Sequence, residues 1–259
     1  MNQILSSIHP DAIIGENVTI SPFVTIDKNV IIGDNTYIYS NAVILEGARI
    51  GKNCRIFPGA VVSGIPQDLK FKGEETICEI GDNTTIRECA TVNRGTVAKG
   101  KTVVGNNCLL MAYSHTAHDC IIKNSVIIGN ATQLAGEVEV DDYAILSGGT
   151  LVHQFSKIGK YTMIQGGSRL GKDIPPYIIA GREPITYSGV NIVGLRRRGF
   201  SSEQIGAIQE IYRIVYQSGL NNSDAIKHIE QIIPDSEEKQ EIVSFITHSP
   251  RGILRGYLE

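Results

Sequence analysis

Between Ile8 and Leu170 the chain places an aliphatic residue at nearly every sixth position. Of the 28 positions at this spacing, 24 are Ile, Leu or Val, and the exceptions are Asp68, Glu74, Ala98 and Thr116. Four residues after each aliphatic the side chain is usually small, as at Ala12, Val18, Val24, Val30, Thr36, Ala42, Ala48, Cys54 and Ala60, and later at Thr84, Ala90, Val126, Thr132, Val138 and Ala144. A helix spaces its apolar positions by 3.6 residues and a half-buried strand by 2.0, so neither produces this pattern. Short strands of one hexad each do, when three hexads make a triangular coil and both repeating positions point to its axis. Gly and Asn recur just after the aliphatic, in "IGEN", "IGDN", "IGKN" and "VGNN", where a corner needs positive φ. The expected fold class is mainly β, a parallel β-helix of hexapeptide repeats. Periodicity does not give its hand, and the usual crossover rule favours a right-handed turn.

Two interruptions leave the phase intact. "SGIPQDLKFKGEETICE", between Val62 and Ile80, and "NRGTVAKGKT", between Val92 and Val104, are polar and contain Gly, so they are expected to be loops leaving the coil. Loops on a rigid scaffold are where binding groups gather. After Leu170 the six-residue pattern stops. "KDIPPYIIAGREPITYSGVN" reads as a Pro- and Gly-rich cap or linker. "SSEQIGAIQEIYRIVYQSG" then sets Ile205, Ile208, Ile211, Ile214 and Val215 at helical spacing, with a serine as N-cap and Gly219 as stop. Shorter helices are expected over 223–232 and 235–248. The chain divides into a β-helix with two external loops and a cap, 1–189, and a small α-helical C-terminal domain, 190–259.

Composition narrows the function classes. The 259 residues are 42% hydrophobic and 20% charged, enough to bury a core. A formal net charge of -3 gives no global field for nucleic acid, although Arg196, Arg197 and Arg198 form a local basic cluster. No apolar run is long enough to span a bilayer, and "MNQILSSIHP" has no leader-like pattern, so a cytoplasmic protein without stable membrane insertion is expected. Five cysteines with no CxxC pair argue against a disulfide framework or a zinc ribbon. Four of them, Cys54, Cys78, Cys108 and Cys120, fall on the small inward position and are expected to be core fillers.

The chemistry centres on "MAYSHTAHDC", residues 111–120, which sets two of the six histidines, His115 and His118, beside Asp119. On an eighteen-residue coil, residue n lies beneath n+18 at about 4.8 Å. Gly100 and Gly136 then flank His118, leaving its ring open and bringing the bare Gly136 N–H close. A base beside an oxyanion donor suits acyl transfer to a hydroxyl. Asp119 would orient the ring if the two meet at a corner, because neighbours on a strand face opposite ways. Two other readings stand beside this one. His115, His118 and His153 would form a zinc site if they converged, though residues three apart on an extended coil diverge. A structural solenoid with surface histidines is the other, and it leaves the loops and helices unexplained.

The strings "QDLKFKGEET", "IRECATVNRGT", "LLMAYSHTAHDC", "VHQF", "DIPPYIIAGREP" and "GVNIVGLRRRGFS" together resemble the UDP-N-acetylglucosamine O-acyltransferase family that begins lipid A synthesis, over essentially the whole chain. That resemblance implies a left-handed β-helix, a homotrimer with sites between adjacent coils, and transfer of a (3R)-3-hydroxyacyl group to the sugar 3-hydroxyl. It implies no cofactor beyond the phosphopantetheine of acyl carrier protein, which carries the donor, and no metal. By position, His118 would be the general base, Asp119 its partner and Gly136 the oxyanion donor. Gln67, Asp68, Lys70, His115, His153 and Gln154 would line the sugar and phosphate site. Asn191, Arg197 and Arg198 would reach the uridine diphosphate, and Gly166 falls in the region that limits acyl-chain length, where a small residue implies room for a long chain. Glu137 stands where many members have histidine, and Val193 where they have an acid. An acetyl-CoA-dependent hexapeptide acetyltransferase is the alternative, and a 3-amine acceptor stays open beside the 3-hydroxyl.

Overall fold

The computed structural model describes residues 5–256; the first four residues of "MNQILSSIHP" lie outside them. Strands of mostly two residues follow one another at six-residue spacing from Ser7–Ile8 to Arg169–Leu170. These 25 strands assemble into three parallel stacks of nine, eight and eight, in which each strand pairs with the third strand along the chain from it. The chain therefore winds as a triangular parallel β-helix, and it winds left-handed, against the expectation of the crossover rule. The rule concerns long crossovers packed back on one sheet; here most connections are corners of a few residues that lead to a different sheet.

The inward side chains explain why this sequence winds so. From Thr25–Ile26 onward the second residue of every two-residue strand up to Arg169–Leu170 is buried, and Ile38, Ile44, Ile56, Ile86, Leu110, Ile122, Ile128 and Leu134 are almost fully removed from water. The small residues of the following corner, such as Ala42, Ala60, Ala90, Val126 and Ala144, fill the vertices of the triangle. Removing a side chain such as Ile122 down to alanine would cost about 2–5 kcal/mol.

The corners divide their work between two positions, which corrects the shared role expected of Gly and Asn just after the aliphatic. Positive φ belongs to the third residue after the aliphatic, as at Asn17, Asn35, Asn53, Asn83 and Asn107. The glycine directly after the aliphatic is needed for close approach instead. A Cβ on Gly33 would lie 2.6 Å from the Gly51 carbonyl carbon in the next coil. Along one edge, side chains also cap the amides of the coil below: Asp82 N donates to Asn106 Oδ1 at 2.7 Å, and Asn106 N to Asn124 Oδ1 at 2.9 Å.

Both interruptions are loops, spanning 65–76 and 94–100 between strands. The segment after Leu170 is more ordered than a linker: Ile178–Gly181 extends the third sheet and pairs antiparallel with Thr186–Val190. Four helices follow, α1 (Ile192–Arg197), α2 (Ser202–Gln217), α3 (Asn222–Ile232) and α4 (Glu237–Thr247). The short α1 has no counterpart in the sequence reading. Ser201 and Gln204 close a capping box on α2, whose Ile205, Ile208, Ile211 and Ile214 are buried. Stacked Tyr143, Tyr161 and Tyr177, with Phe200 edge-on, carry the core from coil to helices. No helix among the described residues is long and apolar enough to cross a membrane.

Candidate active site

The corner after His115–Thr116 makes the site. Asp119 takes φ +60°, a turn that folds its side chain back beside its neighbour. The His118 Nδ1 then lies 2.8 Å from Asp119 Oδ2, so the two meet as a corner permits. Asp119 is fully buried. Burial alone would push its carboxyl up, but hydrogen bonds from the Thr96 hydroxyl, His118 and the Thr96 amide more than offset this and hold it below its ordinary value. An ionised carboxylate accepts a hydrogen bond from Nδ1–H, which leaves the Nε2 lone pair free. The ring retains 13% exposure, enough for a substrate hydroxyl to reach it.

Gly136 stacks on His118 from the coil above, as the register requires. A Cβ there would sit 2.7 Å from His118 Cε1 and 2.8 Å from Nε2. Its N–H donates to no other group among the described residues. The expected second glycine is corrected. Thr91 pairs with His115, 24 residues apart, because the 94–100 loop adds six residues to the coil below. That loop therefore lies on this side of the ring, and a Cβ on Gly100 would meet no heavy atom within 4 Å.

A cleft of about 770 Å³ opens over the first sheet, lined by Gln67, His115, His118, Gly136, His153 and Gln154 among others. His115 donates to or accepts from Thr91 Oγ1 at 2.7 Å through Nδ1, and burial, then the neighbouring His118, lowers its pKa. The three histidines share the cleft, yet among the described residues no three His, Cys, Asp or Glu side chains are grouped to ligate an ion. A smaller cavity of about 170 Å³ continues on the other side of His118 and is lined by Asp68, Lys70, Glu74, Glu137 and Gln154. The 65–76 loop thus reaches His118, held by Asn93 Nδ2 donating to Ile65 O at 2.8 Å and by Arg94 over Phe71.

Asn191, Arg197 and Arg198 do not join this cleft within one chain. They line a separate cavity of about 260 Å³ with Tyr143 and Tyr161, beside the third sheet. Arg198 stacks on Tyr143 at 4.1 Å. Asn191 has its side chain engaged in the fold, accepting from Gly194 N and donating to Tyr161 O. Gly166 is an exposed corner residue next to Gly148, and Val193 is exposed on α1. Sequence reasoning missed Thr91 and Thr96. Each contacts a site residue across the 94–100 insertion, where eighteen-residue stacking no longer holds; Arg169, also missed, lines the large cleft from the last strand of the first sheet.

A left-handed β-helix with a carboxylate-held imidazole over an open cleft defines an acyltransferase of the hexapeptide-repeat class. A family profile described as UDP N-acetylglucosamine O-acyltransferase, domain 2, matches residues 173–254, and one described as the GMPPB C-terminal domain matches residues 4–104. The acyl-(acyl-carrier-protein)–UDP-N-acetylglucosamine O-acyltransferase of Pseudomonas syringae pv. syringae is 46% identical over 249 residues, 96% of either chain. The solved UDP-N-acetylglucosamine acyltransferase of Bacteroides fragilis is 62% identical with TM-score 0.97, covering 98% of this chain and 100% of its own. That of Francisella novicida is 41% identical with TM-score 0.95, covering 98% and 93%. The chain belongs to the UDP-N-acetylglucosamine O-acyltransferase family.

Proposed function

We propose that this protein moves a (3R)-3-hydroxyacyl chain from the thioester of acyl carrier protein to the 3-hydroxyl of UDP-N-acetylglucosamine, opening lipid A biosynthesis. The observation that carries this reading is the polarity of His118: a buried carboxylate takes Nδ1, and Nε2 is left to serve the cleft. Nε2 removes the hydroxyl proton as the sugar oxygen attacks the thioester carbonyl. The C–O bond forms, and the charge gathering on the carbonyl oxygen is met by the Gly136 N–H. Collapse breaks the C–S bond, and the imidazolium returns its proton to the departing thiolate. Asp119 keeps the ring oriented and stabilises its charged form. Thiolate leaves readily, so no covalent enzyme intermediate is required. Cys120, next in sequence, is buried with its thiol pushed up to about 12 and is no nucleophile.

Gln67, Asp68, Lys70, His115, His153 and Gln154 surround the base and suit the sugar and its phosphate. Arg197 and Arg198 offer forked donors to the diphosphate, with Asn191 fixing the start of their helix. Because these arginines lie on another face, a complete site needs a second copy, which supports the homotrimer. Leu109, Ile127, Ile145 and Met163 point outward from the third sheet as an apolar strip suited to that contact. The small Gly166 favours a long acyl chain, and the cytoplasm, where acyl carrier protein would supply the donor, is the proposed location.

Mass spectrometry of products formed from UDP-N-acetylglucosamine and a panel of 3-hydroxyacyl carrier proteins tests the reading. A mono-O-acylated sugar nucleotide is expected, with long donors outcompeting short ones, and His118→Ala should lower turnover by about 10²–10⁴. Turnover with acetyl-CoA alone, or a preference for a 3-amino sugar, would replace the substrate assignment.

A further inference from the structure

The carboxylate behind the base is itself held from behind. Thr96 Oγ1 lies 2.6 Å from Asp119 Oδ2, the oxygen that also faces His118 Nδ1. Thr96 N and Lys99 N donate to Asp119 Oδ1 at 2.9 and 3.2 Å. On the other side, Asp119 N donates to Thr102 Oγ1 at 2.8 Å. The direction of the short contact is fixed by counting protons. The Thr96 hydroxyl already accepts from Ala98 N at 3.2 Å and has a single proton to give, while an ionised carboxylate only accepts. The proton therefore points at Asp119 Oδ2. Thr96 is 5% exposed, so water does not compete for it.

Two donors, Thr96 Oγ1 and His118 Nδ1, then converge on one carboxylate oxygen. With both in place the carboxylate plane is set, and with it the tilt of the imidazole against Gly136. With the hydroxyl gone, Oδ2 keeps only the imidazole, and the pair is free to swing together. We infer that Thr96 is a positioning residue for the general base, acting through Asp119 Oδ2 on the orientation of His118. The inference rests on His118 being that base. It also gives the 94–100 insertion a task that its two backbone donors to Oδ1 would not by themselves fulfil, since those fix the loop without setting the oxygen that faces the ring.

The test compares Thr96→Val, Thr96→Ser and His118→Ala in the full-length protein, with kcat, both KM values and the thermal midpoint measured for each. Thr96→Val should lower kcat roughly ten- to hundredfold, the range that a lost hydrogen bond to a charged group represents, with both KM values near those of the parent. Thr96→Ser, which keeps the hydroxyl, should recover most of kcat. If Thr96→Val does not fold, Thr96→Cys takes its place, and its weak donor should leave kcat between parent and His118→Ala. Parent-like kcat without the hydroxyl, an equal loss in Thr96→Ser, or a loss confined to KM overturns the inference. If His118→Ala retains turnover, the base assignment itself falls; if it is inactive while Thr96→Val is fully active, only the role of Thr96 does.

Discussion

Gly136 meets the His118 ring at a distance that leaves no room for a methyl group. Its φ is not positive, so alanine suits the backbone and the whole cost falls on the imidazole. Gly136→Ala is expected to displace the ring by several tenths of an ångström or more and to lower kcat by roughly a hundredfold, the scale that misplacing a catalytic group by about 1 Å reaches. Steady-state kinetics alongside the thermal midpoint separates this from unfolding, because the midpoint should barely move. The cysteines give a second expectation. Burial pushes the Cys54 and Cys108 thiols up to about 11 and those of Cys78 and Cys120 up to about 12, while Cys89 is exposed. Since the thiolate is the reactive form, titration of the native protein with a thiol reagent near pH 8 should count one fast thiol, and the remaining four should appear only on denaturation. Two or more fast thiols in the folded protein would show that the coil opens far more readily than its packing implies. The inward placement of those four was legible beforehand because each sits on the small position of its hexad. Thr96 was not, since nothing in its local sequence says which carboxylate its hydroxyl will meet.

At the scale of elements, the two loops act as a pair. Asn93, at the end of the strand Thr91–Asn93, is 4% exposed and donates to Ile65 O, tying the start of the 65–76 loop to the coil. Asn93→Ala removes that donor and is expected to weaken the loop by about 1–3 kcal/mol. Because this loop carries Gln67, Asp68 and Lys70, the effect should appear as a raised KM for the sugar nucleotide, with kcat changed less; kinetics at saturating acyl donor checks it. An unchanged KM would remove the loop from substrate binding. The strands, α2 and the end of the coil were readable in sequence because their periods are local properties of the chain. The hairpin Ile178–Val190 was hidden within Pro- and Gly-rich sequence, since its pairing with the third sheet is a contact made across the fold. The same holds for the layer beneath His118, where six inserted residues change the stacking offset from eighteen to 24.

For the molecule as a whole, His118 follows the first sheet's strand His115–Thr116, whereas Arg197 and Arg198 stand on and just after α1 beside the third sheet, so the proposed trimer, with its sites between copies, makes a definite prediction. His118→Ala and an Arg197→Ala/Arg198→Ala variant, each poorly active alone, should complement when co-expressed, with about a quarter of the sites restored by random assortment. Activity of mixed trimers no higher than the sum of the two would place both groups in one subunit's site and overturn the arrangement. The hexad period by itself determined the β-helix, the inward residues and the points where loops leave, because each is decided by the side chains of a single short strand and its corner. Tertiary structure alone decided the hand of the coil, the layer that lies against His118, the hydroxyl behind Asp119 and the face on which the arginines stand. Those depend on how the inserted loop and the helical domain are carried round the axis, and no local period records that.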